Sequence, residues 1–153
     1  MREPAEVLIA CLAAAVALAS PLPGGAGSEL VGAARSNDFA AVRALLDAGG
    51  EVNVRAADGA TALHWAAHWD DLEAARALIE AGAAADPANR YQVTPLMLAA
   101  SNGSAPMIAL FIAAGASPNA ALPAGETPLM RAARTGRAEA VRTLIRHGAG
   151  RPR

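Results

Sequence analysis

A shift of 33 residues brings this chain into register with itself. Thr61, Thr94 and Thr127 coincide, as do Leu63, Leu96 and Leu129, and Gly82, Gly115 and Gly148. Ser28, Leu30 and Gly49 carry the register backwards, and the pairs Ala33-Ala34, Ala66-Ala67, Ala99-Ala100 and Ala132-Ala133 fall in step. A fixed period of this length means supersecondary units that stack, each burying its apolar face on its neighbours instead of in one central core. Composition agrees with that. A hydrophobic content of 54% excludes a disordered chain, while an aromatic content of 3% leaves alanine, leucine, valine and isoleucine, which pack thin helices closely but cannot fill a wide core. Cys11 is the only cysteine, so neither an internal disulfide nor a cysteine metal site can hold the fold.

Each unit reads as helix, tight turn, second helix, glycine stop and polar loop. Thr94 is placed to cap a helix with Pro95 at its first position, and Thr127-Pro128 repeats the arrangement: the hydroxyl satisfies an orphan amide, and proline has no amide to satisfy. Gly103 and Gly136 separate first helix from second. Gly49, Gly82, Gly115 and Gly148 follow the second helix, where a left-handed residue is favoured. Leu78, Ile79, Leu110, Phe111, Ile112, Leu144 and Ile145, with Ala84 and Ala113, are expected to form a continuous core between units, and Trp65 to belong to it.

These residues resemble the ankyrin repeat, whose first helix opens on Thr-Pro-Leu-His-x-Ala. Thr61-Ala62-Leu63-His64-Trp65-Ala66-Ala67 is nearest; the segments from Thr94 and Thr127 keep all but the histidine, and Gly-Ala follows at 82, 115 and 148. The resemblance covers roughly Ser28 to Gly148 and implies an all-α solenoid of about four 33-residue helix-turn-helix units with short finger loops. The expected domain spans 28–149, with repeats at 28–57, 58–90, 91–123 and 124–149, a Pro/Gly linker at 20–27 and a tail at 150–153. Two departures stand out. Repeat two has Asp70 where the turn glycine belongs, and repeat one opens on Ser28-Glu29-Leu30, as a capping unit would. The chain also looks like the front of long exported bacterial ankyrin arrays; Gly150-Arg151-Pro152-Arg153 stand where another finger loop would begin, as in a shortened array.

Ahead of the repeats, Arg2 precedes an apolar run from Val7 to Ala19 that Ser20-Pro21-Leu22-Pro23-Gly24-Gly25 ends. The run is short for a bilayer span, and Ala17-Leu18-Ala19 offers small residues to a signal peptidase, so cleavage after Ala19 and a periplasmic or secreted location are expected. The alternative is an uncleaved membrane anchor or a cytoplasmic chain whose N-terminus packs on repeat one. Leu8-Ile9-Ala10-Cys11 resembles an acylation box, but the apolar run continues past Cys11, which argues against lipidation.

No constellation points to catalysis or to a cofactor. His64 and His68 have the four-residue spacing of a zinc pair, but Trp65 stands where such a site needs glutamate, and the ankyrin resemblance gives His64 a structural role at a helix start. Asp70, Asp71 and Glu73 sit where a second helix begins and read as capping charges, not as an acid-base pair. With no lysine there is no phosphate-binding P-loop, and no nucleophile elbow is present. A non-catalytic protein-binding module, monomeric and exported, is the expected function; an intracellular or membrane-anchored adaptor or enzyme inhibitor is the alternative.

The resemblance implies that partners are held by the finger loops and the outward side of each first helix. Non-repeating residues at those positions are Asp58, His68, Trp69, Arg90, Tyr91, Asn102, Glu126 and Arg134. Trp69, Tyr91 and Arg90 are the types that most often anchor interfaces, although Trp69 could instead pack on a neighbour or on Arg90. Charge is divided: residues 20–126 hold five arginines against eleven acids, net −6, and residues 127–153 hold seven arginines against Glu139, net +6. Arginines spread over two helices without interleaved aromatics argue against sequence-specific nucleic-acid binding, and a membrane is expected to be met only through an uncleaved N-terminus.

Overall fold

A computed structural model of the protein describes residues 25 to 151. The expected leader, its cleavage site and Cys11 lie outside those residues. The described chain forms α1 (Gly25–Arg35), α2 (Phe39–Asp47), α3 (Ala62–Trp69), α4 (Leu72–Glu80), α5 (Pro95–Asn102), α6 (Ala105–Ala113), α7 (Pro128–Arg134) and α8 (Ala138–Arg146), with no strand among them. These are four helix pairs. The first helix of each pair packs on the first helix of the next, α1 on α3, α3 on α5 and α5 on α7, while α2, α4, α6 and α8 form a second row.

The caps that open the helices are those the residue types favour. Thr94 Oγ1 accepts from the Met97 amide at 3.3 Å, Thr127 Oγ1 from the Met130 amide at 3.3 Å, and Pro95 and Pro128 stand in the first turn of α5 and α7. Asp71 Oδ1 accepts from the Ala74 amide at 2.9 Å and so opens α4. Asp70 does something else: it closes α3 at φ +57, the left-handed conformation that Gly103 takes at φ +67 after α5. Asn37 at φ +60 and Gly136 at φ +69 occupy the same position in repeats one and four. Aspartate and asparagine enter this region more readily than other side chains, which is how repeats one and two dispense with glycine.

The core runs along the stack without widening. Leu30, Leu63 and Leu96 are at most 1% exposed, Ala66, Ala99 and Ala132 let the first helices approach closely, and Leu78, Phe111 and Leu144 seal the second row. Three expectations are corrected. Ile145 is 52% exposed because no further helix pair stacks on α8 among the described residues, and Ala84 and Ala113 are exposed because they lie at the ends of second helices and in the loops beyond. The first helix also begins at Gly25, three residues ahead of Ser28 and inside the stretch read as linker. Trp65 packs against the core but stays partly open, with Arg35 over its ring at 5.7 Å.

Adjacent repeats are also stitched by polar groups. Asn53 Oδ1 accepts from the Ala84 amide at 2.8 Å and its Nδ2 donates to Gly82 O at 3.1 Å. Asn119 does the same two interfaces further on, accepting from Gly150 and donating to Gly148 O, and Asp86 accepts from the Ser117 amide at 3.1 Å at the interface between them. Positions 53, 86 and 119 are one period apart, so a single structural slot carries all three clamps.

Candidate partner-binding face

Each finger loop is a tight reversal closed by the same pair of backbone bonds. Ala56 donates to Ala60 O, Asn89 to Val93 O and Leu122 to Glu126 O, with Gly59, Gln92 and Gly125 at positive φ. The first two fingers are tied to each other: the Arg90 amide donates to Asp58 O at 2.8 Å, the Arg90 guanidinium to Ala57 O, and Arg55 Nη1 to Ala88 O at 2.9 Å. Arg90 thus tethers one finger to the next while remaining exposed.

His64 is buried at 2% exposure and anchors this end of α3. Its Nδ1 accepts from the Thr61 amide at 3.1 Å, which leaves Nε2 to donate to Val93 O at 3.0 Å, linking repeat two to the finger of repeat three. Burial holds its pKa below the ordinary 6.5, with Arg55 adding to the effect and the bond to Val93 opposing it. Both ring nitrogens are therefore occupied, and His64 offers nothing to a metal beside His68. Among the described residues no group of three or more histidine, cysteine, aspartate or glutamate side chains could hold a metal ion.

The remaining candidates fall into three places. His68 is sandwiched edge-on between Trp65, 5.6 Å away, and Trp69, 5.0 Å away, so the ring partner of Trp69 is His68 and not Arg90. Trp69 at 45% and Tyr91 at 70% exposure are the large aromatic surfaces of repeats two and three. Asp58 lines a notch with Val31, Arg35, Val54 and Trp65, and its carboxylate accepts from the Ala60 amide at 3.0 Å.

Asn102, Glu126 and Arg134 come together at the far end, in an open depression also lined by Arg131, Thr135 and Arg137. Asn102 is only half exposed, because its Nδ2 donates to Ala67 O at 2.8 Å and to His68 O at 3.2 Å, joining the end of α5 to that of α3. Glu126 is divided between two arginines: Arg131 Nε donates to Oε2 at 3.1 Å and Arg134 to Oε1. Arg131 Nη1 reaches Ser101 Oγ at 3.1 Å in the preceding repeat. Sequence reasoning missed Arg131 and Arg137. The run of arginines from 131 to 137 was visible as net charge, but periodicity alone does not show which of them turn toward Glu126.

No helix among the described residues is long and apolar enough to cross a membrane. A family model described as ankyrin repeats in three copies matches residues 30–122 and again 86–151. A search of curated proteins finds no match to the chain.

Proposed function

The chain belongs to the ankyrin-repeat family, a family of protein-protein interaction modules, and from that premise we propose that it holds a protein partner on the face made by its finger loops and first helices. One observation carries this reading. Among the described residues Trp69 and Tyr91, which do not recur with the period, stand exposed on neighbouring repeats, whereas the large exposed side chains that do recur, Met130 and Ile145, lie in repeat four, where no further described helix pair covers them. Large aromatic side chains gain most from being covered, since they bring area, few rotatable bonds and a polar handle to an interface. Replacing Trp69 and Tyr91 together with alanine should weaken partner capture at unchanged helical circular dichroism, and undiminished capture by that variant would place the partner elsewhere. No catalytic group is assigned, and the protein acts by occupancy as a monomer.

Export is part of the proposal, supported by the apolar run and the Ala17-Leu18-Ala19 step. The intact mass of the protein from its own cells tests it. A chain starting at Ser20 supports an exported binder, and one retaining Met1 supports a membrane-anchored or intracellular adaptor that inhibits or recruits its partner.

A further inference from the structure

Resting on the partner face proposed above, we infer that its C-terminal end takes an acidic segment of the partner protein, with carboxylates seated on Arg134 and Arg137. The depression at repeats three and four holds three arginines against one glutamate, so it carries net positive charge even with its internal pairs made. A guanidinium has five N–H donors. Glu126 and Ser101 take up two on Arg131, and Glu126 one on Arg134, whose side chain is 75% exposed. Glu126, itself 18% exposed, therefore holds two guanidiniums side by side with most of their donors unused. Such an array is arranged for bidentate carboxylates before any ligand arrives, which lowers the ordering cost of binding.

Arg137 completes the array through a feature of the preceding repeat. A Cβ built on Gly103 would lie 2.5 Å from Arg137 Cδ and 3.0 Å from Thr135 Oγ1. Glycine at 103 thus clears the path along which the arginine stem crosses the turn. The corresponding turn in repeat two has Asp70, followed one period before Arg137 by Ser104, so the arrangement belongs to this interface alone. An acidic peptide fits better than a nucleic acid: Trp69 and Tyr91 do not line the depression to stack bases, and Glu126 would repel a continuous phosphate backbone at its centre.

Fluorescence polarisation of the full chain with labelled octaglutamate, octaglutamine and octathymidylate tests this. Octaglutamate should bind, weakening as salt rises, and octaglutamine should not. R134A/R137A should cut octaglutamate affinity about tenfold, while R142A/R146A, which removes the same charge from α8 outside the depression, should change it less than about twofold. G103N, which keeps the left-handed turn as Asn37 does in repeat one but brings a side chain against the Arg137 stem, should act like the loss of Arg137 although it removes no charge. Equal losses from the two arginine pairs, tighter binding of octathymidylate, or no octaglutamate binding would each overturn the inference. None of these readouts depends on Trp69 or Tyr91, so failure here is distinguishable from failure of the partner face.

Discussion

His64 joins two repeats with a ring that must stay neutral to do so. Its Nδ1 is an acceptor and its pKa is held below 6.5 by burial, so the folded state resists the proton that the unfolded chain takes up near its ordinary value. The stabilisation is complete above about pH 6.5 and is lost as pH falls below it, because there the unfolded state binds more protons. Thermal midpoints measured from pH 7.5 to 5 should fall toward acid, and His64→Gln should flatten that slope while lowering stability at neutral pH. An equally steep slope in the variant would remove His64 as its source. Leu96, with no exposed surface between repeats, makes a second test at this scale. Leu96→Ala should cost about 2–5 kcal/mol in denaturant unfolding, since the flanking first helices cannot close the cavity fully.

At the scale of the element, short helices of seven to nine residues, as most are here, have little intrinsic stability and depend on their ends. Thr94 and Asp71 each satisfy an amide of the first turn, so Thr94→Ala and Asp71→Ala should each cost about 1 kcal/mol in chemical denaturation. The loop clamps act between elements. Asn119 both donates and accepts across the last interface, and Asn119→Ala should speed hydrogen exchange in α7 and α8 more than in α1 to α4. Uniform acceleration along the chain would mean that the clamp is not local. The threonine caps were legible because proline follows them. The 53, 86 and 119 slot was not, because Asn-Asp-Asn in loops resembles ordinary turn chemistry until the partner backbone is seen across the interface.

For the whole molecule, each repeat packs only on its neighbours, so position along the stack decides what a motif residue contributes. Met97 and Met130 hold the same place in the repeat, yet Met97 has no exposed surface and Met130 is 53% exposed. Met97→Glu should therefore unfold or severely destabilise the protein by burying an unpaired charge, whereas Met130→Glu should shift stability by no more than about 0.5 kcal/mol. Similar losses in the two variants would show Met130 to be covered in solution. The division of charge follows the same logic: the acidic earlier repeats and the basic repeat four expose different surfaces, aromatic at repeats two and three and cationic at repeat four.

The fold is legible in the residues alone, because period, caps and glycine stops are local signals that recur and so reinforce one another. The sequence also marked Trp69 and Tyr91, since what does not recur in a repeat protein is free to serve something other than stacking. Packing sets the contacts that each candidate makes within the fold. Arg90, still exposed, and Asn102, half-buried, bond backbone carbonyls of the preceding repeat, Glu126 supports Arg131 and Arg134, and Gly103 makes room for an arginine 34 positions later. The physical reason is that a polar side chain takes the nearest partner able to satisfy it. For Arg90 and Asn102 that partner sits one repeat away, at a distance that spacing gives but at an orientation that only the packed helices set.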